Sequence, residues 1–189
     1  MDFEGQVYND RIPEIQSTII SNLGTSLPFV PQIVEYLVET RYNTLRSRLT
    51  IRCASLFGKT DSTILDIAGI LEYLHAASLL HRWVCKPVES RRNLKPIDNI
   101  WGNEASVLVG DFLYSRSFQM MVQVGQLRIM DVLADATNMI AEGEVLQLIN
   151  CNDPDTAEKH HMEVIYRKTA KLFEAGVLIG AIQIGRAHV

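Results

Sequence analysis

The chain has 189 residues, 47% of them hydrophobic and 21% charged, which is enough for one domain with a sizeable core. A net charge of −4 with no basic face argues against a nucleic-acid partner, and Cys53, Cys85 and Cys151 lack Cys-x-x-Cys spacing, which favours a reduced, cytosolic compartment over a disulfide framework. No apolar run is read as a membrane span, and Met1–Asp10 is too polar for a signal peptide, leaving a soluble enzyme or scaffold.

Apolar spacing of three and four predicts helices over Ile12–Leu23 and Pro28–Thr40, the second capped by Ser26 with Pro28 in its first turn. Leu45–Phe57 is a third, stopped by Gly58. A fourth starts near Thr63 and carries the stripe Ile64, Ile67, Leu71, Leu74, Ser78. Its pattern breaks at Trp83, Cys85, Lys86 and Pro87, the last of which cannot sit inside a helix without losing a backbone bond. Asn103–Val124 is apolar nearly all round, with Val107, Leu108, Val109, Phe112, Leu113, Met120, Met121 and Val122, and is expected at the centre of a bundle. Gly125 separates it from Leu127–Ile149. Asn152-Asp153-Pro154 is a turn, and Asp155 with Glu158 resembles a capping box opening a helix over Thr156–Ile179. No hairpin turn, solenoid repeat or low-complexity segment is present, so the expected fold is all-α and single-domain.

The last six residues, Ile184 to Val189, match one translated frame of a common sequencing adapter. They are set aside as a tail (184–189), with the domain placed at 1–183. On that reading the chain is the N-terminal part of a longer protein.

Several long runs carry a family resemblance. Trp101 to Met121 (WGNEASVLVGDFLYSRSFQMM), Ile140 to Leu148 (IAEGEVLQL) and Tyr166 to Glu174 (YRKTAKLFE) are similar, in register, to the long-chain trans-polyprenyl diphosphate synthases, in particular the bacterial octaprenyl-forming members. Leu71–His81 resembles the segment leading into that family's first aspartate-rich motif. The resemblance implies an isoprenoid-synthase-type helical bundle, truncated on its C-terminal side, around a deep cavity. It implies a prenyltransferase that adds isopentenyl diphosphate to an allylic diphosphate of the farnesyl diphosphate type, here for the octaprenyl side chain of a respiratory quinone. It also implies Mg2+ held by two Asp-rich motifs, and a homodimer for the intact enzyme. The metals neutralise the departing diphosphate, and hard Mg2+ prefers carboxylate oxygens.

Carried over position by position, the match is mixed. The family's Asp-Asp-x-x-Asp should occupy 82, 83 and 86, where this chain has Arg82, Trp83 and Lys86; charge goes from −3 to +2, a swing of five. No metal ligand set remains, and no catalytic residue of that motif is intact. The Gly-Gly-Lys-Arg-x-Arg-Pro motif falls on Arg41–Ser47, where only Leu45 and Arg46 fit. The second Asp-rich motif would lie beyond the sequence. The residues that survive are Arg46, His75 and Arg92 for isopentenyl diphosphate, and Arg91, Lys168, Thr169 and Gln147 for the allylic diphosphate. Without the resemblance, His75 reads as a core histidine, Arg91-Arg92 as a solvated pair, and Lys168-Thr169 as a helix surface step. Glu142 and Glu144, two apart on a helix, point to different faces and read as structural. Ala77 and Ser78 are small, which in this family leaves the cavity open to long products.

Two origins fit the break over Arg82–Asp98: divergence into a non-catalytic subunit of a heteromeric synthase, or compensating frameshifts or a sequencing fault in a true synthase. The damage is confined, the length is kept and the pattern resumes at Asn99-Ile100-Trp101, which favours the second. Either way the chain as written is expected to be inactive.

Overall fold

The computed structural model describes residues 12–40, 44–56, 58, 61–85, 100–150 and 157–182. The described residues form helices joined by turns, with no strand among them. In chain order the helices are α1 (Ile12–Ser21), α2 (Phe29–Thr40), α3 (Leu45–Ser55), α4 (Ser62–Cys85), α5 (Asn103–Val124), α6 (Leu127–Ile149), α7 (Glu158–Ile165) and α8 (Lys171–Ile182). A π-helical stretch, Tyr166–Ala170, joins α7 to α8 without a break.

The helices predicted over Asn103–Val124 and Leu127–Ile149 are found at those bounds. Gly125 ends α5 in the left-handed conformation, φ 69°, and its amide donates to the Met121 carbonyl, a geometry glycine adopts without steric cost. The Asp155 capping box lies outside the described residues, and Ala157 precedes α7 with no side-chain cap.

The centre of the bundle is α4, not α5. Ile64, Ile67, Ala68, Ile70, Leu71, Tyr73, Leu74, Ala76, Ala77 and Leu80 are buried around its whole circumference, because α1, α3, α5 and α8 all pack on it. The expectation for α5 fails for a geometric reason. Ala105, Val109, Leu113 and Met120 form one stripe against α4, whereas Leu108 (68% exposed) and Val122 (64%) lie outward with no described element over them. Met120 and Met121 are core residues as expected.

Two further differences concern α4. It continues through Arg82 to Cys85, so the backbone stays helical across the start of the broken pattern. By length and composition Ser62–Arg82 could also cross a membrane, contrary to the sequence reading, but most of it is buried against other helices as a core helix would be. Two long-range hydrogen bonds tie α1 and the turn after it to this centre. The Tyr73 hydroxyl donates to the Ile19 carbonyl, and Asn22 Nδ2 donates to Asp66 Oδ1 at 3.0 Å. Helix α8 crosses α3 at close range through Gly176 and Gly180. A Cβ on Gly180 would stand 2.9 Å from the Thr50 carbonyl oxygen, and one on Gly176 would collide with the Thr50 hydroxyl.

Candidate functional site

Three groups of polar residues are gathered around α4. The first lies where the start of α3 meets its middle. Glu72 is fully buried (0% exposed), and its Oε1 accepts a hydrogen bond from the Ser47 amide at 3.2 Å. Ser47 is the third helical residue of α3, so a carboxylate from another helix satisfies one of the amides that a helix N-terminus leaves open. Burial raises the Glu72 carboxyl to about 7, against the opposing pull of Ser47 and the Arg46 guanidinium. One turn along α4, His75 is lowered to about 3, first by burial and then by the positive charges of Arg46 and Arg82. At neutral pH His75 is therefore an uncharged hydrogen-bonding group. The Arg46 guanidinium lies over the Phe173 ring of α8, 4.6 Å from its centroid. Arg46 and His75, assigned to one ligand from the sequence, are thus near enough for the Arg46 charge to act on the imidazole, and Glu72 fixes the turn that carries Arg46.

The second group lines a cavity of about 370 Å³ between α4, α5 and α6. Leu74, Ser78, Ile140 and Ala141 make its walls; His81, Asp111, Tyr114, Thr137 and Glu144 supply polar atoms. His81 Nε2 stands 3.1 Å from Asp111 Oδ1, at ion-pair distance though not aligned as a hydrogen bond. Ser78 lines this cavity, while Ala77 is buried in the core.

The third group is the π-helical stretch on α6. Lys168 Nζ pairs with Glu144 Oε2 at 2.8 Å and also donates to the Gln147 side-chain oxygen, so Lys168 and Gln147 are in contact. Thr169 is exposed beside them. Arg167 bridges Glu142 and Glu163, and Lys171 bridges Asp135 and Glu174, both 3.0 Å away. Glu142 and Glu144, expected to point to different faces, instead reach neighbouring cations, Arg167 and Lys168, of the one π-helical stretch packed across them. Gly143 lies between them for a reason the spacing does not show: a Cβ there would stand 2.8 Å from Arg167 Cβ and 2.9 Å from Lys168 Cγ. The wide turn of the π-helix, a feature often found at functional sites, presses on that glycine.

Arg91, Arg92 and Lys86 lie outside the described residues, as does the Trp83 side chain. The donor set does not fit magnesium. Arg82 occupies a position where a carboxylate would be needed, and no group of three His, Cys, Asp or Glu able to hold a metal occurs among the described residues. The nearby carboxylates of Asp111 and Glu144 already face His81 and Lys168. Glu72 and Gly143 are the site residues that sequence reasoning did not single out, and Glu144, read there as structural, holds Lys168. Their signal was a glutamate inside an apolar run, and a glycine between two glutamates.

Comparison with known proteins places this arrangement. The polyprenyl synthetase family model matches residues 28–188. Octaprenyl diphosphate synthase from Escherichia coli is 40% identical over 171 residues, covering 90% of this chain and 53% of that one. A decaprenyl diphosphate synthase from Rhodobacter capsulatus superposes with TM-score 0.89 at 36% identity, covering 95% of this chain and 56% of the other. A polyprenyl synthase from Caulobacter crescentus, solved with calcium and isoprenyl diphosphate, gives 0.88 at 33% identity over 95% and 55%. The chain spans about half the length of the curated relatives it matches. With that similarity running through α2 to α8, the chain belongs to the polyprenyl synthetase family and has its all-α isoprenoid synthase fold.

Proposed function

We propose that this chain is the substrate-binding half of a long-chain trans-polyprenyl diphosphate synthase of the octaprenyl type. The parent reaction ionises an allylic diphosphate, adds isopentenyl diphosphate and loses a proton. The observation that carries the reading is the meeting of Arg46, on the first turn of α3, with the uncharged His75 of α4. A guanidinium fork matches phosphate oxygens, and a neutral imidazole can donate beside it without adding to the repulsion. Lys168 and Gln147 would serve the allylic diphosphate, with Glu144 holding Lys168 in the meantime. The cavity beside Ser78 would receive the growing chain. The exposed apolar face of α5, with Leu108 and Val122, suits the homodimer expected of the intact enzyme.

The same reading makes the chain as written inactive, because Arg82 and its neighbours cannot hold the metals that neutralise a leaving diphosphate. Incubation with Mg2+, farnesyl diphosphate and isopentenyl diphosphate should yield no long prenyl product above a blank; product formation would refute the inactivity. Titration calorimetry with isopentenyl diphosphate should give binding that weakens about tenfold in Arg46→Ala or His75→Ala, the loss of one charge-assisted or buried hydrogen bond. Unchanged affinity in both variants would remove the site. The charge reversal at position 82 also favours a second reading, a non-catalytic subunit of a heteromeric synthase, which 1:1 co-purification with a complete synthase and altered product length would support.

A further inference from the structure

Of the three cations that tie the π-helical stretch and the start of α8 to α6, Lys168 is the most enclosed: its side chain is 9% exposed, against 25% for Arg167 and 13% for Lys171. Its stem lies across α6 at Gly143, where a Cβ would stand 2.9 Å from Lys168 Cγ and 3.3 Å from the Lys168 amide nitrogen. Two acceptors one turn apart on α6 hold its ammonium, Glu144 Oε2 at 2.8 Å and the Gln147 side-chain oxygen. Glu144 also stands in the wall of the cavity between α4, α5 and α6, so the ammonium sits against the rim of that cavity. The two members of the ion pair are unequal. Lys168 cannot leave without lifting its stem off Gly143, whereas the Glu144 side chain is 35% exposed and can be rehydrated at low cost. Arg167 and Lys171 are paired separately to Glu142 and Asp135 of α6, which pins the backbone on both sides of Lys168 while its own contact changes.

We propose that Glu144 is an internal counter-ion, displaced from Lys168 by the anionic head of a ligand whose apolar chain occupies the cavity, with Gln147 keeping the ammonium in place during the exchange. The inference rests on the reading of Lys168 as a ligand of the allylic diphosphate and adds what that ligand must replace. An enclosed ammonium with no counter-ion is costly, and Glu144 supplies one while the cavity is empty. A diphosphate offers the same ammonium more charge and more acceptor oxygens than a carboxylate does, so it wins the exchange and the more exposed partner moves. The displaced carboxylate stays close enough to take Lys168 back, which eases release of the head group. A neutral head, such as that of a prenyl alcohol, has no charge with which to displace it. The plainer role for the pair is to staple the π-helical stretch to α6, and a staple would be indifferent to the charge of the ligand.

The test is titration calorimetry of the full chain with farnesyl diphosphate and with farnesol, in EDTA. Glu144→Gln keeps an acceptor for Lys168 but removes its charge. It should tighten farnesyl diphosphate about tenfold, the difference between a charged and a neutral acceptor, and leave farnesol unchanged. Lys168→Ala should weaken farnesyl diphosphate, and on that chain Glu144→Gln should bring no gain, as a double-mutant cycle reads. Unchanged circular dichroism would show that the variants remain folded. With Lys168→Ala still weakening the binding, a Glu144→Gln variant no tighter than the parent, or a gain shared by farnesol or by the Lys168→Ala chain, would overturn the proposal alone. If Lys168→Ala weakens the binding in neither background, or if no variant binds, the reading of Lys168 falls with it.

Discussion

The two ends of α4 make an instructive contrast. From Ser62 to Leu80 the helix is wrapped by its neighbours, and its polar residues, Glu72 and Tyr73, have partners inside the protein. From His81 to Cys85 it keeps the same backbone, with His81, Arg82 and Val84 half-buried, and there the family's metal-binding charges are reversed. The first part decides whether the chain folds; the second decides what chemistry the folded chain can do. Because Arg82 is half-buried rather than enclosed, the family's carboxylate can be replaced there without the helix being lost. Fold and activity are stored in different turns of one helix.

If the contrast is right, the largest effects on stability come from the enclosed part. Leu71→Ala, at a fully buried site, should cost about 3 kcal/mol in urea denaturation, the lost transfer energy plus the cavity left behind. Gly180→Ala attacks the same core from α8. Its new methyl group would meet backbone of α3, which cannot swing aside, so about 2 kcal/mol is expected from overpacking. A loss well under 1 kcal/mol at Leu71 would mean that α4 is not the load-carrying centre of the bundle.

Much of this contrast could be read from the sequence, for physical reasons. Gly125 and the three-and-four spacing of α5 and α6 are local signals, and those two helices appear at their predicted bounds. The central helix could not be identified this way. Composition favours α5, whose apolar residues run all round, whereas α4 carries Glu72 and His75 within its apolar run; only the packing of four helices shows that α4 is enclosed. The π-helical stretch was invisible because one wide turn leaves the apolar stripe intact, and the close approach to Gly143 that accompanies it is tertiary. Within the site, Arg46 and His75 were legible only through family resemblance, since their convergence joins residues from two helices. Glu72 was missed because a glutamate on a helix is by default solvated.

A smaller and more specific effect should appear in the pH dependence of stability. Glu72 is raised in the folded protein, so its contribution is fully present below its ordinary value near 4.5 and is lost as pH rises to about 7. His75 is lowered, so its contribution is present above its ordinary value near 6.5 and is lost as pH falls towards about 3. Between those two ordinary values the folded chain holds one proton on Glu72 and the unfolded chain one on His75, so the slopes cancel. Stability should therefore be flat from about pH 4.5 to 6.5 and decline on either side. Glu72→Gln should flatten the alkaline decline, and His75→Asn the acid one. A parent profile with no alkaline decline would show that Glu72 is not held protonated by burial.

The smallest expected effect is the most diagnostic for the last turn of α4. Arg82→Ala should change unfolding free energy by no more than about 0.5 kcal/mol, as a surface charge at a helix end does, its chief loss being complementarity to the α4 carbonyls. Arg82→Asp should likewise leave the fold in place. A loss above about 2 kcal/mol in either variant would mean that the end of α4 is part of the core.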